Sequence, residues 1–262
     1  MGHLEVEQHD HVLVLTMNRP EARNALSPEM LVGLADAWDR IDSDPEIRCA
    51  ILTGAGGVFC SGADLKAMNA TGTTSEAADR MREDSGLHWK ALLRGHRLTK
   101  PLIAAVEGFA LAGGTEILQA TDIRVAGEGA VFGVTEVTRG LFPLGGSTVR
   151  LRRQIGYTKA MEILLIGERI PAAEAERIGL IGRVVPDGQA LVTAMDIAAK
   201  IAANAPLSVQ AVKKSVQMTE GLPEDEALAI ELQIGVGVFG TNDAKEGTLA
   251  FKEKRPPVFT GT

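Results

Sequence analysis

The sequence predicts an α/β layered core followed by a helical C-terminal region, and three observations carry that expectation. Short β-rich runs alternate with stretches of helical periodicity through about residue 190, the pattern of a layered α/β protein. From Leu191 onward the pattern is helical, with Pro206 and Pro223 at expected helix starts, positions where a missing N–H costs little. A chain of 262 residues, 45% apolar, can bury one large core or a core with an appendage. The expected organisation is an α/β core over 1–190 and a helical region for assembly over 191–262.

The elements follow in order. Residues 4–8 and 12–17 flank Asp10-His11 and read as a strand hairpin. Ser27-Pro28-Glu29 opens a helix, with Ser27 as cap and Pro28 in its first position. Met30, Leu34, Trp38 and Ile41 recur at helical spacing and give it one buried face. Residues 48–53 form a β-rich run ended by Gly54-Ala55-Gly56-Gly57, and Ser61-Gly62-Ala63-Asp64 reads as a strand-to-helix turn. Residues 69–86, polar and small, predict a mobile loop. A helix over 87–97 and a strand over 102–106 precede a second glycine-containing turn, 108–114. A helix over 114–119 and a strand over 122–126 come next.

Composition narrows the function. A net charge of −7 argues against nucleic acid or an anionic membrane as the main partner, so an anionic ligand must meet a local cluster of cations. Cys49 and Cys60 are too few for a disulfide framework and lack metal-ligand spacing, which points to a reducing cytoplasm. The longest apolar candidate, 101–114, is interrupted by Glu107 and falls short of the ~20 residues that span a bilayer. An acidic N-terminus predicts no signal peptide. The five histidines show no ligand spacing with carboxylates or cysteines, so no metal site is expected. His96 is weighed only as a weak catalytic candidate, and Cys60, with no histidine base beside it in sequence, reads as a packed thiol.

Two kinds of residue have the chemistry of a reaction site. At each glycine-containing turn a strand ends and a helix begins, and helix N-termini carry unpaired N–H groups. Donors from Ala63 and Gly113 can converge on one oxygen, although ordinary strand-to-helix turns have the same spacing. Glu116, in the first turn of a helix opened by Gly113-Gly114, and Glu136, in Phe132-Gly133-Val134-Thr135-Glu136-Val137, both sit among apolar neighbours. Buried carboxylates have raised pKa values that suit proton transfer near neutral pH. A carboxylate at Glu116 can equally complement the helix dipole.

Longer motifs decide between these readings. The stretch Lys100-Pro101-Leu102-Ile103-Ala104-Ala105-Val106-Glu107-Gly108-Phe109-Ala110-Leu111-Ala112-Gly113-Gly114-Thr115-Glu116 resembles the signature of the enoyl-CoA hydratase/isomerase (crotonase) superfamily. Asn18-Arg19-Pro20 with Asn24-Ala25-Leu26, Phe59-Cys60-Ser61-Gly62-Ala63-Asp64-Leu65, and Phe132-Gly133 through Glu136 are similar to it too. So are Gly140-Leu141-Phe142-Pro143 with Gly145-Gly146, Gly179-Leu180-Ile181, and the tail from Asp243 through Pro256. The matches run in order along nearly the whole chain, with 69–86 the main exception.

The resemblance implies a crotonase-like spiral of ββα units, a C-terminal helical region that drives trimer formation, and stacking of two trimers into a hexamer. It implies that backbone N–H groups of Ala63 and Gly113 hold a thioester oxygen while Glu116, as base, and Glu136, as acid, hydrate a trans-2-enoyl-CoA. The CoA thioester is the substrate and no further cofactor is implied. CoA contacts are implied for Arg23, Ala25, Ser61, Asp64, Leu65, Lys66 and Gly114, with Phe251 and Lys254 reaching the CoA of a neighbouring subunit. Competing readings are double-bond isomerisation, another crotonase-type acyl-CoA reaction, and a non-catalytic acyl-CoA binder. Residues 114–127 and 140–153 look similar to actinobacterial hydratases, some of which handle bulky steroid side-chain CoA esters.

Overall fold

The computed structural model describes residues 2–64 and 75–262. β1 (Leu4–His9) and β2 (Val12–Met17) pair antiparallel through a turn in which Asp10 takes a φ of +51°. From β2 the sheet continues in parallel: β3 (Cys49–Gly54) lies beside β2, β4 (Leu102–Val106) beside β3, β6 (Ile123–Gly127) beside β4, and β9 (Arg183–Val185) beside β6. A second sheet has the order β5-β7-β8, where β5 is Phe109–Leu111, β7 is Val131–Gly133 and β8 is Ile170–Pro171. The chain steps from β4 to β5 and from β6 to β7, and each time passes from the large sheet to the small one before turning helical. This repeated step is the ββα spiral that the resemblance implied.

The inner strands β2, β3 and β4 are apolar at almost every position because both of their faces are covered, whereas the edge strand β1 is largely exposed. One face carries Leu13, Leu15, Met17, Ala50, Leu52, Ala104 and Val106 into the main core with Trp38, Phe59 and Phe132. The other carries Val12, Val14, Cys49, Ile51, Ile103, Ala105 and Val125. Against this second face lies α8 (Ala190–Ala202), whose Ala190, Ala194, Ala198 and Ala202 form an i, i+4 stripe. Small side chains there let the helix axis approach the sheet closely.

The first helix, α1 (Pro28–Ser43), begins as its sequence indicates: Ser27 Oγ accepts from Met30 N at 3.2 Å. Trp38 Nε1 donates to Ala91 O at 3.0 Å, closing α1 against α3 (Leu87–Ala91). Two expectations need correction. Within the stretch read as a mobile loop, Glu76–Glu83 forms a helix, α2, capped by Ser75, whose hydroxyl also donates to Glu29 at 2.9 Å. Its only buried residue is Ala77, so no apolar stripe announced it. Positions 69–74 of that expectation lie outside the described residues. The helix expected over 87–97 stops at Ala91, and Leu93 takes a left-handed φ of +53°. Leu92, Leu93 and Leu98 are buried, so their apolar spacing reflects an inward turn rather than a helix face.

α4 (Gly113–Leu118), α5 (Ser147–Gln154), α6 (Tyr157–Ile166) and α7 (Ala172–Arg177) complete the core. Asp122 and Arg124 brace the strands: Asp122 Oδ2 accepts from Leu102 N at 2.8 Å, and Arg124 donates to Leu180 O at 2.7 Å and Gln119 O at 3.0 Å. Beyond α8, α9 (Pro206–Thr219) is fastened to the core by Lys213 Nζ on Asp122 Oδ2 (2.6 Å) and Lys100 O (2.8 Å). Arg97 and Arg153 both engage Glu220 at its end. Then α10 (Glu224–Phe239) and α11 (Asn242–Glu253) leave Leu228, Leu232, Val236, Phe239 and Phe251 exposed. No single helix among the described residues is long and apolar enough to cross a membrane.

The alanine stripe gives a direct test of this packing. Ala198→Leu inserts three carbons where α8 meets the sheet and is expected to destabilise the fold by about 1–3 kcal/mol, read as a lowered denaturant midpoint at unchanged slope. A wild-type midpoint would show that α8 does not lie this close.

Candidate active site

Glycine lets two turns press together. Residues 59 and 60 run beside β5, with Cys60 N on Phe109 O at 2.8 Å and Leu111 N on Cys60 O at 2.9 Å, before the chain turns at Gly62 (φ +98°). β5 ends at Leu111, Ala112 takes φ +50° and ψ −122°, and α4 begins at Gly113. A Cβ on Gly62 would lie 2.9 Å from Ala112 Cβ and 3.2 Å from Gly113 N, and one on Gly114 would lie 2.4 Å from Cys60 O. No side chain fits at either position. Ala112 holds a backbone conformation that costs on the order of 1–3 kcal/mol for a residue with a Cβ, pinned by its N–H on Gly133 O at 2.8 Å.

This contact brings the backbones of Ala63 and Gly113 together: a Cβ built on Gly113 would be 3.6 Å from Ala63 N. Gly113 is in the first turn of α4, where N–H groups have no intrahelical acceptor. Among the described residues neither N–H donates to a backbone acceptor.

The Ala63 turn is held by the Asn18-to-Leu26 segment. Asn24, fully buried at φ +53°, accepts from Arg19 N through Oδ1 and donates through Nδ2 to Ala55 O (3.0 Å) and Val58 O (2.6 Å). Leu26 N donates to Gly62 O, Asp64 N to Leu26 O, and Ser61 N to Arg23 O. Arg19 Nη1 bridges Ala25 O and Asp64 Oδ2 at 3.0 and 2.9 Å.

Glu116 is only 4% exposed. Its Oε1 accepts from Ser147 N at 3.2 Å, so its carboxylate is engaged by the 145–147 loop. Its pKa is raised: burial outweighs the hydrogen bonds from the backbone of Ser147, Gly145 and Gly146 and from the Ser147 hydroxyl, which favour the carboxylate and limit the rise. Gly145 is required here, since a Cβ would fall 2.5 Å from Glu116 Oε2. Glu136 opens the 3-10 turn Glu136–Arg139. Its Oε2 is buried with no hydrogen-bond partner among the described residues. Burial first, and then the charge of Glu116, push its pKa up to about 7. The two glutamates are therefore close enough for one charge to perturb the other.

Thr115 fixes the spacing between them. Its hydroxyl sits between Ala110 O and Gly133 O and accepts from Gly133 N at 3.2 Å, tying the start of α4 to β5 and to β7, the strand that leads to Glu136. Neither Thr115 nor Ser147 was singled out by sequence, because both act through long-range contacts.

A local positive patch lies on Phe109. Arg23 (φ +52°) and Arg169 place their guanidinium groups 5.8 and 5.4 Å from its ring centroid, and neither has a carboxylate within 4.0 Å among the described residues. Arg169, sixty positions from Phe109, carries no sequence signal. Of the other expected contacts, Ala25 is buried and Ser61 partly buried beside Arg23, and Gly114 lies under Cys60. Leu65 and Lys66 lie outside the described residues. Phe251 and Lys254 stand exposed at the end of α11, and among the described residues no hydrogen bond, ion pair or ring contact joins them to the other site residues.

His96 Nε2 lies 3.1 Å from Asp42 Oδ2 on α1 and is engaged there, away from the glutamates' own contacts. Cys60 is a packed thiol, fully buried with its pKa pushed up to about 12 by burial.

Comparison with known proteins identifies the family. The family model described as enoyl-CoA hydratase/isomerase matches residues 7–262. Enoyl-CoA hydratase EchA19 of Mycobacterium tuberculosis is 59% identical over 256 residues, covering 97% of this chain and 95% of that protein. The (E)-benzylidenesuccinyl-CoA hydratase of Thauera aromatica is 41% identical over 98% of each. Among solved structures, an enoyl-CoA hydratase from M. tuberculosis H37Rv superposes with a TM-score of 0.90 at 43% identity, over 100% of both chains. One from Bacillus anthracis gives 0.91 at 37%, over 99% of this chain and 100% of the other. With paired glycine turns, coupled glutamates and matches of this extent, the chain belongs to the enoyl-CoA hydratase/isomerase family.

Proposed function

We propose that this enoyl-CoA hydratase adds water to a trans-2-enoyl-CoA with Glu116 as base, Glu136 as acid, and the Ala63 and Gly113 N–H groups as the oxyanion donors. The observation that carries the reading is the unequal surroundings of the two carboxyls. Glu116 is supplied with donors that favour a carboxylate, whereas Glu136 has a buried, unpartnered oxygen beside that negative charge and favours a carboxylic acid. One water between them then meets one acceptor and one donor of protons.

The steps balance. Water oxygen bonds to C3 as Glu116 takes its proton, and the C2=C3 electron pair moves toward the thioester oxygen. Two N–H donors stabilise the resulting enolate charge. As the enolate collapses, C2 takes the proton of Glu136, giving the 3-hydroxyacyl-CoA. Return of the proton from Glu116 to Glu136 through solvent completes the cycle. An isomerase needs one shuttling group, and two are built here.

On the CoA side, Arg23 and Arg169 over Phe109 supply positive charge beside the Ala63 turn in a chain of net charge −7, which suits the phosphates of CoA. Ala25, Ser61, Asp64 and Gly114 belong to the same wall of the site, and for Leu65 and Lys66 a CoA contact rests on the family resemblance alone. The exposed apolar side chains of α10 and α11 support assembly into a trimer, or a hexamer of two trimers. In that assembly Phe251 and Lys254 reach a neighbouring subunit's CoA. No cofactor beyond the CoA thioester is invoked, and the free Cys49 and Cys60 suit a reducing cytoplasm.

Glu116→Gln and Glu136→Gln are each expected to lower kcat at least ~100-fold with little change in KM, followed as loss of enoyl-thioester absorbance across a range of acyl chains. In the wild type, kcat/KM falls above about pH 7 as Glu136 loses its proton, and falls at low pH as Glu116 gains one. Full activity in either variant would overturn the two-carboxyl mechanism. Arg169→Ala is expected to raise KM for a CoA ester about tenfold and leave turnover of the matching N-acetylcysteamine thioester, which lacks phosphates, unchanged. Equal effects on both thioesters would remove Arg169 from CoA recognition.

A further inference from the structure

Arg150 has an arrangement that the reaction as described does not use. It stands on α5 at the wall of a cavity of about 530 Å³, with Arg94, Arg97, Arg153, Lys213, Asp122 and Glu220 around the same space. Its Nη1 donates to Gly145 O at 3.3 Å and reaches Glu116 O at 3.5 Å, and its Nη2 donates to Leu93 O. All three acceptors are backbone carbonyls, and no carboxylate lies within 4.0 Å of Arg150 among the described residues. One planar fork therefore joins the residue that bears the base, the glycine whose backbone favours its charge, and the left-handed turn that ends α3.

The location is electrostatically poor for a cation. Burial and the neighbouring Arg97 and Arg94 oppose the charge of Arg150, and Glu116 and Glu220 support it. Arg97 and Arg153 already share Glu220. That leaves Glu116 as the acid that Arg150 serves without competition from another cation's ion pair. Guanidinium is suited to this task because it offers donors in a rigid plane, which an ammonium cannot do. The loop it holds has no slack: a Cβ on Gly146 would lie 3.2 Å from Arg150 Nη1, and one on Gly145 would meet the Glu116 carboxylate.

We propose that Arg150 is a positioning residue for the reaction: it clamps Glu116, the Gly145-Gly146 loop and the Leu93 turn into one rigid unit and supplies the positive charge that keeps Glu116 a base. The inference rests on the reading of Glu116 as that base. A clamp lost by substitution lets the carboxylate drift from the attacking water, and misplacement by an ångström costs about a hundredfold in rate. Loss of the charge raises the pH at which Glu116 gains a proton, because a nearby cation favours the carboxylate.

The test compares Arg150→Met, Arg150→Lys and Glu116→Gln on one enoyl-CoA over a full pH range. Arg150→Met is expected to lose at least about tenfold in kcat with KM within a few-fold, and its acid limb should move up by about one pH unit. Arg150→Lys should keep the limb near its wild-type position and still lose kcat, since an ammonium cannot span three carbonyls. Wild-type kcat and acid limb in Arg150→Met, with Glu116→Gln inactive, would overturn the clamp and leave the base intact. An active Glu116→Gln would overturn the underlying reading instead. Should Arg150→Met not fold, Arg150→Lys decides alone, and unchanged kcat there contradicts the proposal.

Discussion

A methyl group at Gly62 would fall 2.9 Å from Ala112 Cβ, and one at Gly114 would fall 2.4 Å from Cys60 O. Every other feature of the site depends on that close approach of two turns from different ββα units. It brings the backbones of Ala63 and Gly113 together, starts α4 where Glu116 can face the 145–147 loop, and obliges Ala112 to hold a strained backbone. The strain is sustained by the parallel pairing around it, in which β5 is clamped between residues 59–60 and β7. The spiral is thus a device for bringing the ends of successive units together, with the inner strands of the large sheet, buried on both faces, as its rigid base.

The electrostatics follow from the same geometry. Two carboxyls are taken out of water in one place, which costs free energy for both in ionised form. The fold resolves the cost unequally: Glu116 receives backbone and hydroxyl donors, and Glu136 Oε2 receives none among the described residues. The outcome is a Glu136 pushed up to about 7 beside a Glu116 whose rise is limited by its donors, and the titration belongs to the pair rather than to either residue. Arg150 extends the asymmetry by adding a cation on the side of Glu116.

Much of this was legible in the chain, for identifiable reasons. α1 announced itself through a cap, a proline and an apolar stripe, all local. The inner strands β2, β3 and β4 appeared as near-continuous apolar runs because neither of their faces is solvated. α2 did not, since a helix that buries only Ala77 has no stripe to read, and α3 was drawn too long because a buried turn at Leu92 and Leu93 mimics a helix face. The Asn18-to-Leu26 motif was visible as a pattern, yet its reason was not. Asn24 holds a loop more than thirty positions away. Thr115, Ser147, Arg150 and Arg169 share that limitation, because each acts across a sequence gap that only the fold closes.

The central claim is that Glu136 is held protonated by burial and by the charge of Glu116. Carboxyl carbon NMR of glutamate-labelled protein, titrated in the wild type and in Glu116→Gln, measures this directly. The account predicts a Glu136 carboxyl that titrates near pH 7 in the wild type and at distinctly lower pH once the neighbouring charge is removed. A Glu136 that titrates in the ordinary carboxylate range in both proteins would contradict it.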